Sequence, residues 1–256
     1  MYLCYVNTLS KTKAKEIKSL ATKKERDRQG LFIAEGDKCV RDLLQGFEPQ
    51  YLISTQDGLK SLNDITDKYS DRILISDKRG MEIISSFSSL PEIIGVFHQP
   101  GETKPASLQP DHLYLLLDEI QDPGNLGTII RTCDWFGVYD IFASKNTVDV
   151  FSPKVIQATM GSLVRVKVRY TDLNELIKEN KEIPVIGTLL DGKPLETVSL
   201  PSGGFLLMGN EGRGISEPLK ELITLPVSIP PKNRLHHPDS LNVAIATALM
   251  LQTLTS

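Results

Sequence analysis

The stretch His112-Leu-Tyr-Leu-Leu-Leu-Asp-Glu-Ile-Gln-Asp-Pro-Gly-Asn-Leu-Gly-Thr-Ile-Ile-Arg131 changes its period halfway along. His112–Leu117 is an unbroken apolar run of strand length, as in a strand buried on both faces. Residues 126–136 carry helical spacing and stop at Gly137. A polar, glycine-containing turn lies between them. Strand, polar turn and helix form the unit from which parallel α/β sheets are built.

The alternation continues downstream. Asp140–Ser144, Leu163–Val168, Ile183–Leu190, Gly204–Gly209 and Leu225–Ile229 are expected strands. Helices are expected to open at Ser152-Pro153, over Thr171–Asn180, over Ser216–Ile223, and over the long apolar segment Ser240–Leu254. A parallel sheet with helices on both faces follows. Such sheets place ligands beyond the carboxyl ends of their strands. Upstream, a proline-rich segment at 99–110 reads as a linker. Before it, a helix over Lys11–Gln29, strands at Leu31–Ala34, Tyr51–Ser54, Arg72–Ile75 and Glu92–Phe97, and the intervening helices read as a small α/β domain. The expected organisation is therefore residues 1–98, a linker at 99–110, and a second domain at 111–256.

Composition narrows the function. The chain has 256 residues, 40% of them apolar, which suffices for a core without metal or disulfide staples. Its net charge of -3 excludes a polycation that coats nucleic acid, though not a local basic patch. Residues 11–28 carry +5 against -8 for the rest, and Lys23, Lys24, Arg26 and Arg28 are the candidate contacts there for a polyanion. An ordinary solvated helix face is the alternative. Cys4, Cys39 and Cys133 have no metal-ligand or disulfide spacing, so a reducing cytoplasm is expected and no metal. Neither a membrane span nor a signal peptide is read.

Three loops carry chemistry. Asp118–Arg131 holds Gly124 and Gly127, which let a ligand approach the backbone, with Asn125 and Arg131 six residues apart. A plain turn capped by Asn125 is the alternative. Leu207-Met-Gly-Asn-Glu-Gly-Arg-Gly214 is a tight glycine loop around Glu211, neither a dinucleotide fingerprint nor a P-loop. It could be a mere turn. The third runs from Ile229-Pro230 to Ser240-Leu-Asn-Val-Ala-Ile-Ala246, with Ser240 as a plausible N-cap and Asn242 in the first turn, where the alternative is that Asn242 only ties the helix end to a neighbouring loop. His236 and His237 adjoin there without a third ligand. A doubly wound nucleotide enzyme would need its glycine loop after the first strand of the domain. Here the glycine-richest loop comes late.

In their order the three loops closely resemble the signature motifs of the SpoU (TrmH-type) RNA ribose methyltransferases, from Leu113 to Leu251. Phe151-Ser-Pro-Lys-Val-Ile-Gln-Ala-Thr-Met-Gly-Ser-Leu163 resembles the family's connecting segment, and Gly30-Leu-Phe-Ile-Ala-Glu-Gly36 its small substrate-binding domain. The resemblance implies methyl transfer from S-adenosyl-L-methionine to a ribose 2′-hydroxyl of rRNA or tRNA. It also implies a parallel α/β catalytic domain with a C-terminal trefoil knot, a small RNA-binding domain before it, and a homodimer. By motif position it implies Asn125, Arg131, Glu211, Ser240 and Asn242 as candidate catalytic residues. Thr188, Leu189, Gly209, Asn210, Gly212, Ile229, Leu241 and Asn242 become candidate cofactor contacts. A paralogue that binds RNA without catalysis is the second reading. Two departures stand out: nine residues separate Pro230 from Ser240 where about six are usual, and Ala244 stands where many relatives have Ser.

Overall fold

The computed structural model describes residues 7–101, 107–233 and 238–256. Residues 1–6 and the His236-His237 pair lie outside the described residues. The chain divides into two compact units, one of residues up to Gly101 together with Asp149–Val164, the other of 107–148 with Arg165–Ser256.

The first unit is built on strands β1 (Asn7–Thr8), β2 (Leu31–Glu35), β3 (Pro49–Ser54), β4 (Ile73–Ile75) and β5 (Ile93–His98), in the order β1-β4-β3-β5-β2. β1, β4 and β3 run parallel, and β5 is antiparallel to both its neighbours. The helices are α1 (Lys11–Ser19), α2 (Lys23–Gln29), α3 (Asp37–Leu43), α4 (Asn63–Tyr69) and α5 (Lys78–Ile84). α1 and α5 bury Ala14, Ile17, Met81 and Ile84 in one core with Ile33, Ile53 and Val96. They run side by side in the same direction. A Cβ on Gly80 would stand 3.4 Å from Leu9, just ahead of α1, and Lys18 Nζ near its end donates to Ser85 O at 2.9 Å.

The expected single helix over 11–29 is broken at Leu20–Thr22. Arg26 explains the break. Its Nη1 donates to Leu20 O and Ala21 O, two carbonyls that the end of α1 leaves open. Its Nε and Nη2 both donate to Asp149 Oδ2, at 2.9 and 2.5 Å. Arg26 is 2% exposed, so it is not the surface RNA contact that its place in a basic run suggests. Asp149 opens the segment that also supplies the helix Pro153–Thr159, and this helix packs on β2 of the first unit. The expected strand over Leu163–Val168 starts later for the same reason. Ser162–Val164 is a 3-10 turn that closes the excursion, and pairing begins at Lys167.

The second unit contains β6 (Leu113–Leu117), β7 (Asp140–Ser144), β8 (Lys167–Thr171), β9 (Val185–Pro194), β10 (Gly204–Met208) and β11 (Leu225–Ser228). Counting the helix Pro153–Thr159 as α7, its own helices are α6 (Pro123–Trp135), α8 (Leu173–Glu179), α9 (Glu217–Lys220) and α10 (Val243–Leu254). Every adjacent pair of strands is parallel, in the order β11-β9-β10-β6-β7-β8. The apolar runs that predict fully buried strands are buried: Leu115, Leu116, Leu117, Phe205, Leu206 and Leu207 are all inaccessible. One consequence decides the site. With all six strands parallel, the chain leaves β6, β9, β10 and β11 at the same edge, and the three motif loops follow β6, β10 and β11.

β9 is irregular. It pairs with β11 at Ile186 and Gly187, then again at Lys193 and Pro194, so residues 188–192 leave the ladder. Leu190, in this excursion, is 83% exposed.

Candidate active site

Residues of the first loop are set by a helix cap. Asp122, with extended backbone, accepts from Asn125 N at 2.8 Å, and Pro123 follows at the first helical position. Asp122, not Asn125, therefore caps α6. That frees the Asn125 carboxamide for a bond across loops. Its Nδ2 donates to Glu211 Oε1 at 3.0 Å, and its Oδ1 accepts from Asn242 Nδ2 at 2.9 Å.

Asn242 likewise takes the cap expected of Ser240. Its Oδ1 accepts from Ala244 N at 2.9 Å and Ile245 N at 3.3 Å, so α10 begins at Val243. A side-chain cap of this kind is worth about 1 kcal/mol. Here it also fixes which end of the carboxamide faces Asn125. Ser240 is exposed, two residues ahead of the cap, and outside this chain of bonds.

Glu211 completes the array. Its two carboxylate oxygens accept from Gln121 N and Asp122 N, each at 3.3 Å, as well as from Asn125. Two main-chain amides just ahead of a helix and one carboxamide thus hold a single carboxylate, an arrangement favoured by the positive end of α6. The hydrogen-bonded series Glu211–Asn125–Asn242 joins all three motif loops. Arg131 lies on α6 six residues beyond Asn125, about 9 Å along the axis and 120° round it. It is exposed, and among the described residues its guanidinium has no hydrogen bond or ion pair.

The glycine loop is shaped by its own Asn210. The carboxamide oxygen receives Gly212 N and Arg213 N, at 2.9 and 3.0 Å, and Nδ2 donates to Glu119 O at 2.7 Å. Asn210 also bridges main chain to main chain with Gly214. The Asn210 side chain and the Gly212 amide are therefore internal ties of the loop. A Cβ at Gly209 would stand 2.3 Å from the Gly214 carbonyl carbon, so only glycine lets the loop close.

The expected cofactor residues Thr188 and Leu189 fall in the 188–192 excursion, beside β11 and at the carboxyl edge. The Thr188 hydroxyl reaches the Met208 sulfur at 3.6 Å, adjacent to Gly209. Ile229, with Leu195, Pro230 and Pro231, lines an open groove of about 500 Å³ that also has Glu196, Lys232 and Thr253 on its walls. Leu241 is half-exposed. No group of acidic, histidine or cysteine side chains that could hold a metal occurs among the described residues.

Sequence reasoning missed four residues of this edge. Asp118, buried at the end of β6, accepts from Ser216 N at 2.8 Å and anchors the far side of the glycine loop. Glu119, Gln121 and Arg213 form ties across the loops. The signal for Asp118, Glu119 and Gln121 was position, charged and polar residues just after a buried strand; Arg213 had only its place in the glycine loop.

Residues 112–252 match the family model described as the SpoU rRNA Methylase family, and residues 11–89 match that of the MRM3-like substrate binding domain. The chain belongs to the SpoU rRNA methylase family. It is 30% identical over 251 residues to the 23S rRNA (guanosine(2553)-2′-O)-methyltransferase RlmP of Bacillus subtilis, covering 96% of this chain and 97% of the relative. Among solved structures it is similar to a putative RNA methyltransferase of the TrmH family from Porphyromonas gingivalis, with TM-score 0.85, 35% identity, and coverage of 96% of this chain and 98% of that one. An AdoMet-bound rRNA methyltransferase from Sinorhizobium meliloti superposes with TM-score 0.83 at 31% identity, covering 97% and 96% of the two chains.

Proposed function

We propose that this protein transfers the methyl group of S-adenosyl-L-methionine to a ribose 2′-hydroxyl of rRNA or tRNA. The observation that carries the reading is the Glu211–Asn125–Asn242 series, which ties the three motif loops together at one sheet edge, with Arg131, unpaired among the described residues, on the same helix as Asn125.

The residues present fit the cofactor. The loops offer main-chain groups and the apolar side chains of Leu189, Ile229 and Leu241, which suit a flat base. Of the expected cofactor residues, Ile229 is the one that lines the open groove, whose volume of about 500 Å³ falls in the size range of small-molecule sites. Thr188, Leu189, Gly209, Ile229 and Leu241 would hold it. When bound, the cofactor supplies an electrophilic methyl group, so the protein mainly has to align and deprotonate the attacking oxygen. A guanidinium is a poor general base, so Arg131 is not assigned that step. Its role is to hold RNA phosphate and to stabilise charge developing on the 2′-oxygen. Glu211 and Asn242 orient Asn125 from both ends.

RNA docking belongs, in this reading, to the first unit, whose matching model is a substrate-binding domain. Exposed cations there include Lys11, Lys15, Lys24, Lys78 and Arg79, none of which forms a salt bridge or side-chain hydrogen bond among the described residues. Lys23 and Arg28 are already paired with Asp27 and Glu25.

The same reading includes threading of the C-terminal segment into a trefoil knot, supported by the insertion of β9 between β11 and β10, and a homodimer. Exposed Ile245 and Leu249 on α10 support the dimer. A cytoplasmic setting is supported by the buried, unpaired thiols of Cys39 and Cys133.

The test is transfer of radiolabelled methyl from S-adenosyl-L-methionine to rRNA and tRNA from a strain lacking the gene, with mass-spectrometric mapping of the product. A 2′-O-methylated nucleoside is expected. RNA binding without any transfer would leave the non-catalytic paralogue as the answer.

A further inference from the structure

Two non-glycine residues among those described have positive φ, Glu119 at 56° and Met160 at 50°. Met160 ends a helix, where this conformation is common. Glu119 ends no helix. It follows β6 by two residues, at the carboxyl edge of the sheet. A left-handed residue with a Cβ is strained and persists only when its surroundings over-determine it.

Those surroundings come from neighbouring loops. The Glu119 N–H donates to Ser144 Oγ at 2.8 Å, at the end of β7. Its carbonyl accepts from Asn210 Nδ2 at 2.7 Å. One carboxylate oxygen accepts from Asn146 Nδ2 at 2.8 Å, and the other from Arg213 Nη2 at 2.5 Å. The left-handed turn is what lets carbonyl and carboxylate engage the same loop.

The glycine loop, 209–214, has no apolar side chain with which to anchor itself. Besides the Glu211 carboxylate itself, the loop reaches out through the side chains of Asn210 and Arg213, and both of these attach to Glu119. Glu211 lies between them. We propose that Glu119 is a positioning residue for methyl transfer, which clamps the glycine loop at both ends and so delivers the Glu211 carboxylate to Asn125. The proposal rests on the methyltransferase reading above. The exposed Arg213–Glu119 pair contributes little to overall stability, because exposed ion pairs contribute little. Its value is in geometry.

Glu119→Gly separates the two effects. Glycine adopts the same φ without strain and keeps the main-chain bonds, while both carboxylate bonds disappear. Hydrogen exchange of the cofactor-free protein should then rise at least tenfold in a peptide spanning 209–216, with the rest of the second unit unchanged. The kcat for methyl transfer to RNA from the deletion strain should fall at least tenfold, with KM for RNA within twofold and Tm within two degrees. Arg213→Glu should show the same loss, and the exchanged pair Glu119→Arg with Arg213→Glu should recover part of it. Unchanged exchange and kcat in Glu119→Gly would overturn the proposal. So would a loss of kcat accompanied by a fall in Tm and faster exchange throughout the unit. Wild-type protein that transfers no methyl group would instead overturn the methyltransferase reading, while the exchange measurement would still decide the clamp.

Discussion

The carboxamides of Asn125 and Asn242 face each other head to tail, Nδ2 of Asn242 donating to Oδ1 of Asn125 at 2.9 Å. Each has a fixed orientation because its other end is taken, Asn125 by Glu211 and Asn242 by the first turn of α10. Replacing Asn125 by Asp removes the donor to Glu211 and sets two carboxylates against each other. Methyl transfer should fall by two orders of magnitude or more. Tm should fall by only a few degrees, since the broken bond is partly exposed and worth about 1 kcal/mol. Activity of at least a tenth of wild type would remove Asn125 from the site.

Arg131 should behave differently. Among the described residues its guanidinium ties no loop, so Arg131→Ala should leave Tm and the calorimetric affinity for S-adenosyl-L-methionine near wild type while transfer falls by orders of magnitude. Parallel loss of cofactor affinity would place Arg131 in the cofactor site instead.

The parallel sheet was legible because its strands are buried on both faces, and runs such as Leu115–Leu117 state that directly. The caps were harder. Ser240 and Asn242 are both good caps, and only the bond from Asn242 to Asn125 decides between them. Arg26 was illegible in principle. Nothing local distinguishes it from Lys24 and Arg28, and its partner Asp149 lies 123 residues away. Glu119 was hidden for the same reason, since its partners come from distant stretches of the chain.

That misreading of Arg26 gives a sharp contrast. Arg26→Gln leaves Asp149 nearly buried without its cation and the end of α1 without its cap. Breaking a buried pair from one side costs about 3–5 kcal/mol. Urea denaturation should show a loss of that size in the first unit. Lys23→Gln and Arg28→Gln, each in an exposed pair, should stay within about 0.5 kcal/mol of wild type. A mild Arg26→Gln variant with weakened RNA binding would return this residue to the RNA face.

Salt dependence locates the RNA face. Each phosphate that the protein no longer neutralises lowers the slope of log K against log salt by roughly 0.7 to 0.9. Changing Lys11, Lys15, Lys78 and Arg79 to Gln should lower the slope by about three units if all four touch phosphate. Asp77 and Glu82, beside these cations, moderate the local field without neutralising it. Cofactor binding should not change. An unchanged slope would show that RNA docks elsewhere.

The last helix separates a fold residue from an interface residue. Its sequence is apolar nearly all round, so Val243, Met250, Ile245 and Leu249 look alike. In the structure Met250 is fully buried and Val243 nearly so, whereas Ile245 is 53% and Leu249 43% exposed. The two exposed positions are four apart and share one face. Apolar side chains so placed are covered at low cost by the same face of a second copy, in an isologous contact. Ile245→Glu should therefore give a folded monomer with a wild-type circular dichroism spectrum. Met250→Glu should fail to fold, because it puts a charge into the core. Light scattering at micromolar concentration decides the matter, since a wild-type monomer of full activity would leave the exposed face of α10 without a partner.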